Sequence, residues 1–106
     1  MCGIIGATSR LANNKLDEML SCVVHRGPDE GGKYINDSMP VRMGMRRLSI
    51  IDRESGSQPI FNEDETVVVV FNGEIYNYKE LRDQLTAAGH SFETDCDTEV
   101  LVHAWE

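Results

Sequence analysis

The sequence has few basic residues, few cysteines and no long apolar run. Lys and Arg together number 10 against 18 Asp and Glu, which gives a formal net charge of -8 at pH 7. Nucleic acids and anionic membrane surfaces require a basic face, so this balance argues against both as partners. No apolar stretch is long enough to cross a bilayer, and the start lacks a basic segment followed by an apolar core. We therefore expect no membrane span, no signal peptide and a cytoplasmic location.

Cysteine occurs at three positions, and no two of them form a C-x-x-C pair. The odd count and wide spacing of Cys2, Cys22 and Cys96 do not suggest a disulfide framework. A zinc site that combined these thiols with any of the three histidines would lack a recognised ligand spacing. The sequence thus predicts a reduced protein without a metal or a cofactor.

The first residues of the chain, Met1-Cys2-Gly3, offer a nucleophile. Methionine aminopeptidases act when the next side chain is small, and removal of Met1 would leave Cys2 with a thiol and a free α-amine. An amine with a pKa near about 8 can accept the thiol proton without a histidine, as in threonine–amine variants of the catalytic triad. The alternative is that Cys2 is only the buried beginning of a strand.

Helical periodicity predicts three helices. An apolar stripe predicts the first, which Asn13 or Asn14 could cap and which should end near Val24. A capping-box pattern that begins at Asn77 predicts the second, and Asp97 could cap the third. Gly89 suits the position just after the end of the second helix.

Short strands are predicted between the helices. Gly3 to Ala7 and Lys33 to Asn36 are typical strand segments, and Val41 to Met45 alternates as a half-buried strand does. By that alternation Arg47 points inward, where a guanidinium needs an anionic partner. The alternative is that the strand ends at Met45 and Arg47 is solvated.

A hairpin is predicted around the acidic turn Asn62 to Glu65. Its first strand is Ile60-Phe61, and its second is Thr66 to Phe71, which contains the apolar run Val67 to Phe71. This run does not alternate, so we expect both of its faces to be buried.

Six short motifs occur along the whole chain in a fixed order. They are Met1-Cys2-Gly3-Ile4, His25-Arg26-Gly27-Pro28-Asp29, Arg47-Leu48-Ser49-Ile50-Ile51-Asp52, Gln58-Pro59-Ile60, Phe71-Asn72-Gly73-Glu74-Ile75-Tyr76-Asn77 and Asp97-Thr98-Glu99-Val100. In this order and spacing they resemble the glutaminase domain of class II glutamine amidotransferases, which are N-terminal nucleophile hydrolases. Within that family they resemble the glutamine-hydrolysing asparagine synthetase branch.

The resemblance implies an α+β fold of the N-terminal nucleophile hydrolase type, with mostly antiparallel sheet and flanking helices. Residues 1–106 would be a single domain, truncated to about half of the family's length. We therefore expect a partial α/β/β/α sandwich. A homodimer would complete it, or a different partner chain would.

The resemblance also implies roles for six residues. Cys2 would attack the side-chain amide of glutamine, and Asn72 and Gly73 would form the oxyanion hole with a side-chain amide and a backbone N–H. Arg47 would hold the substrate α-carboxylate, Asp97 would hold the α-ammonium, and Glu74 would line the pocket.

These assignments have alternatives. Asn72-Gly73 is also a common turn dipeptide, and Asp97 could be only a helix cap. Met45 stands where the family often has His, and Cys96 stands where it often has Ser, so Cys96 could be a second reactive thiol. The sequence favours a glutaminase, and the alternative is a catalytically silent domain that binds glutamine or a synthetase partner.

Overall fold

The computed structural model describes residues 2–10, 12–48 and 56–106. Within these ranges it contains five strands and three helices: β1 (Gly3–Ala7), α1 (Asn13–Cys22), β2 (Glu30–Asn36), β3 (Val41–Arg47), β4 (Ile60–Phe61), β5 (Val68–Val69), α2 (Tyr78–Ala87) and α3 (Glu99–Trp105). The fold is α+β with antiparallel sheets, as predicted. Met1 and part of the third motif, residues 49–52, lie outside the described residues.

The first sheet has the strand order β1-β3-β2, and both pairings are antiparallel. Gly3 lies opposite Arg46, and Glu30 lies opposite Arg47. The turn between β2 and β3 is fixed by Asn36, whose side-chain oxygen accepts hydrogen bonds from the two N–H groups that follow Asp37. The central strand β3 pairs with β1 on one edge and with β2 on the other.

Helix α1 covers one face of this sheet and contacts β1 and β3. Leu20 packs on Gly44, where a β-carbon would lie 2.9 Å from the leucine side chain. Leu16 is fully buried, and Lys33 of β2 pairs with Asp17 of the helix at 2.8 Å. The apolar stripe predicted from the sequence is the face that packs on the sheet.

A second sheet is formed by β4 and β5, with Ile60 opposite Val69. The turn between the strands is held by Asn62, a buried side chain whose oxygen accepts the Val67 N–H at 2.9 Å. Glu65 completes the turn with a φ of 59°. The predicted hairpin is therefore confirmed.

The segment before β4 lies on the other face of the first sheet. A β-carbon at Gly32 would collide with the backbone carbonyl of Gln58, so this close approach requires glycine. Tyr34 and Phe61 meet edge to face, with ring centroids 5.9 Å apart. Met45, directly opposite Gly32 in the ladder, is 1% exposed. Both faces of β3 are therefore covered.

Helix α3 contacts β4 and β5, and α2 contacts α3. Val100 and Val102 are buried there. Burial raises the pKa of the Glu99 carboxyl, but hydrogen bonds from Thr94 and from the Glu93 N–H outweigh this effect and hold the pKa below its ordinary value. The layers therefore follow the order α1, first sheet, second sheet, and then α2 and α3. The N-terminal nucleophile hydrolase type of the fold and the dimer stay predictions.

Three predicted helix caps differ from the structure. Helix α1 begins after Ala12, with no side-chain cap from Asn13 or Asn14, and it ends at Cys22 because a turn starts at Val23. The N–H groups of Val23 and Val24 donate to carbonyls three residues earlier, and these tighter turn bonds end the α-helix. The helix thus ends two residues before the predicted end near Val24.

The later caps differ in a related way. Asn77 is at the N-cap position of α2, but its side chain makes no capping bond. Thr98 takes the N-cap position of α3, so the prediction that Asp97 caps this helix was wrong. Asp97 instead accepts a hydrogen bond from Ile75, 22 residues away. Gly89 has a φ of 104° just after α2, as its predicted position requires.

Two strand predictions are also corrected. Strand β2 begins at Glu30 and not at Lys33, because its ladder with β3 extends to Arg47. The alternation in β3 predicted a polar outer face, yet Arg42 is 4% exposed and pairs with Asp37 at 2.7 Å. A long side chain with an anionic partner can be buried where an alternation rule places it outside.

The apolar run Val67 to Phe71 is half-buried throughout, and only Val68–Val69 is a strand. The prediction that both of its faces are buried was wrong for the described residues. Among the described residues β5 pairs with β4 alone, so part of the run remains accessible. None of the described helices is long and apolar enough to cross a bilayer.

Candidate active site

The structure brings Cys2 and Asn72 into contact. The side-chain Nδ2 of Asn72 donates a hydrogen bond to the backbone oxygen of Cys2 at 3.1 Å, across 70 residues of sequence. Arg26 Nε donates to the same oxygen, also at 3.1 Å. Cys2 itself is half-buried with a free thiol. Two donors from distant motifs thus fix the backbone of the predicted nucleophile.

Gln58 positions the residue just before Asn72. Its Nε2 donates to the Phe71 carbonyl at 3.0 Å, and its Oε1 accepts the Phe71 N–H at 2.6 Å. The buried side chain of Gln58 therefore bonds Phe71 much as a neighbouring strand would. This pairing holds the end of the apolar run against the segment that lies over the first sheet.

Replacement of Gln58 by methionine is expected to lower the free energy of unfolding by about 2 kcal/mol, because the Phe71 N–H and carbonyl lose their partners. Urea denaturation measures this change. Gln84→Met on the exposed surface of α2 is the matched control and should change stability by less than about 0.5 kcal/mol. Equal stability of the two variants would contradict the role given to Gln58.

Gly73 and Glu74 lie in an exposed loop that is held in place by a hydrogen bond to Asp97. The Oδ2 atom of Asp97 accepts the Ile75 N–H at 2.8 Å. A β-carbon at Gly73 would lie 2.7 Å from the ring of Phe71, so the loop passes close to that ring. Asp97 thus holds the loop two residues after the predicted oxyanion donor, a role that its local sequence does not reveal.

Arg47 is mostly buried, with a side-chain exposure of 17%, and its anionic neighbour is Glu30 at 3.7 Å. The alternative of a solvated Arg47 was therefore wrong. Since Gly3 pairs with Arg46, the next position of the same register places Cys2 alongside Arg47. Both then lie on the sheet face opposite α1.

Gly56 connects Arg47 with the segment around Asp97. A β-carbon at Gly56 would lie 3.6 Å from Arg47 Nη1 and 2.9 Å from Cys96 Sγ, and its φ of 101° also favours glycine. The Cys96 thiol lies 3.6 Å from Asp97 Oδ1. Gly56 and Cys96 therefore lie between Arg47 and Asp97, the residues predicted to bind the substrate's carboxylate and ammonium groups.

Three residues that position the candidate site were not predicted individually from the sequence. Arg26, Glu30 and Gln58 contact predicted site residues or their neighbours. Arg26 and Gln58 belong to quoted motifs, and that membership was the signal that could have found them. Glu30 follows its motif directly and carried no separate signal.

A family model described as a glutamine amidotransferase domain matches residues 1–106. The chain belongs to the glutamine amidotransferase family. This amidotransferase chain is 50% identical over 109 residues to glutamine-hydrolysing asparagine synthetase 1 of Bacillus subtilis (strain 168), a match that covers 96% of the chain and 17% of the relative. It is 42% identical over 111 residues to asparagine synthetase 1 of Arabidopsis thaliana, with 100% of the chain and 18% of the relative covered.

A third relative is a probable glutamine-hydrolysing asparagine synthetase of Dictyostelium discoideum. The identity is 41% over 113 residues, which cover 100% of the chain and 20% of the relative. The amidotransferase chain thus spans a fifth or less of these relatives' length. The resemblance inferred from the six motifs is confirmed.

Proposed function

We propose that this chain hydrolyses the side-chain amide of glutamine, with Cys2 as the nucleophile. The contact between Asn72 and Cys2 carries the proposal, because it brings a side-chain amide to the backbone of an N-terminal thiol. Membership of the amidotransferase family and the likeness to glutamine-hydrolysing synthetases support it.

The reaction begins once Met1 has been removed. The α-amine of Cys2 takes the thiol proton, and the thiolate attacks the amide carbon of glutamine. The amide N–H₂ of Asn72 has two hydrogens, so one can bond Cys2 while the other faces the developing oxyanion beside the Gly73 N–H. Ammonia leaves with the proton from the amine, and water then cleaves the thioester to release glutamate.

The substrate's charged groups are assigned to Arg47 and Asp97, with Glu74 at the pocket wall. The Arg47 guanidinium, whose Nη1 lies 3.7 Å from the Glu30 carboxylate, would hold the substrate carboxylate with its fork of N–H donors. Asp97 uses one oxygen for the Ile75 N–H and keeps further lone pairs for an ammonium group.

Assembly is also part of the proposal. Residues 1–106 act as one domain, and a second copy or a different chain covers the half-buried run Val67 to Phe71. Analytical ultracentrifugation at micromolar concentration should give a dimer. A monomer would contradict the homodimer, and a different partner chain would then have to cover the run Val67 to Phe71.

Intact mass spectrometry before and after treatment with a glutamine-mimicking diazoketone tests the activity. We expect a mass without Met1 and one adduct, mapped to Cys2 and blocked by excess glutamine. Retention of Met1, or an adduct that glutamine does not block, would indicate a catalytically silent domain instead. An adduct on Cys96 would show that Cys96, and not Cys2, is the reactive thiol.

A further inference from the structure

A cluster of two histidines and two glutamates lies away from the candidate active site. Its members come from three separate parts of the chain: the turn between β4 and β5, the segment after α2, and the end of α3. They are Glu63, His90, His103 and Glu106. One possible ligand atom from each lies within 4.8 Å of all the others.

Four of the six distances between these atoms lie near the edge length of a tetrahedral metal site. His90 Nδ1 lies 3.4 Å from Glu63 Oε1 and 3.2 Å from Glu106 Oε2. His103 Nδ1 lies 3.1 Å from the same Glu63 oxygen and 3.9 Å from the same Glu106 oxygen. Zinc bonds to nitrogen and oxygen of about 2.0–2.2 Å correspond to edges of about 3.3–3.6 Å in a tetrahedron.

His103 supplies an independent observation. Its side chain is 1% exposed, and within the described residues its Nδ1 atom is buried without a hydrogen bond of good geometry. The other ring nitrogen, Nε2, lies 3.2 Å from Glu99 Oε1. If Nε2 carries the only ring hydrogen, Nδ1 presents a lone pair towards the Glu63 carboxylate, and a cation between the two atoms would remove that repulsion.

The partners of the cluster are themselves fixed. Glu99 accepts hydrogen bonds from the N–H groups of Glu93 and Thr94 and from the Thr94 hydroxyl. The Ser91 N–H donates to Glu63 at 2.9 Å. Metal-binding histidines are commonly oriented by a carboxylate on the second ring nitrogen, and Glu99 has that place behind His103.

From this geometry we propose that Glu63, His90, His103 and Glu106 bind one divalent metal ion, and that Zn²⁺ suits them best. Two imidazoles and two carboxylates form a donor set that zinc accepts, and the two negative charges balance the ion. With all four positions taken by side chains, the site is structural. It ties the β4–β5 turn to the end of α3. This site goes beyond the proposed hydrolysis of glutamine and does not depend on it.

Isothermal titration of the chelator-stripped 106-residue protein with ZnCl₂ tests the site. We expect one ion per chain with micromolar or tighter affinity, and a higher Tm when Zn²⁺ is present. MgCl₂ should give no binding, because magnesium prefers an octahedral set of oxygens. Absence of zinc binding would overturn the proposal and leave a cluster of ion pairs.

Matched variants locate the ion. His90→Gln and Glu106→Gln should each weaken zinc binding at least about tenfold and remove the rise in Tm. His25→Gln, at an exposed histidine outside the cluster, should bind as the parent does. Replacement of all three cysteines by serine should also leave the affinity unchanged. Loss of binding in the cysteine variant, or unchanged binding in His90→Gln, would assign the ion elsewhere and overturn the proposal.

Discussion

Replacement of Cys2 by alanine is expected to lower the rate of ammonia release from glutamine at least about 10⁴-fold. No other group on the proposed pathway can form the thioester, so the loss should appear in kcat. The fold should survive, because Arg26 and Asn72 bond the backbone oxygen of Cys2 and not its thiol. A coupled assay for ammonia measures the rate, and circular dichroism checks the fold.

Cys22→Ala is the control for this change, since Cys22 is an exposed thiol on α1. It should retain the rate of the parent protein. If Cys2→Ala also retained that rate, Cys2 would not be the nucleophile. Cys96→Ala then becomes the decisive variant, because Cys96 is the half-buried thiol beside Asp97.

Replacement of Asn72 by alanine is expected to lower kcat about 10²–10³-fold with a small change in KM, because the loss of one oxyanion donor acts on the transition state. The side chain also holds Cys2 in place, so a slower diazoketone reaction should accompany the loss. Steady-state kinetics separate kcat from KM.

Asn14→Ala on the exposed first turn of α1 is the matched control and should leave both constants unchanged. A rise in KM with an unaltered kcat in Asn72→Ala would show that Asn72 acts in substrate binding only. That result would contradict its assignment to the oxyanion hole.

Local sequence pattern predicted the elements better than the contacts between them. The stripe of α1 and the hairpin around Asn62 depend on neighbours in sequence, and both are present. The role of Asp97 depends on Ile75, 22 residues away, and a capping rule cannot include such a competitor. Burial of Arg42 likewise depends on Asp37 across a turn.

The six motifs together predicted the residues of the candidate site, and the roles of these residues stay predictions. The structure places the Asn72 side chain in contact with the backbone oxygen of Cys2. The cluster that we propose binds zinc could not be predicted in the same way. His103 and Glu106 lie three residues apart, but Glu63 and His90 come from two other segments, so no short sequence motif contains all four residues. Three-dimensional packing alone assembles these four side chains.

Gln58 contacts both the first sheet and the segment that positions Asn72. Its backbone carbonyl occupies the space that a side chain at Gly32 would need, and its own side chain pairs with Phe71. The spacing between the sheets and the placement of Asn72 are therefore mechanically coupled through one residue. A distortion that pushes the sheets apart at Gly32 would be transmitted, through Phe71, to the group assigned to the oxyanion.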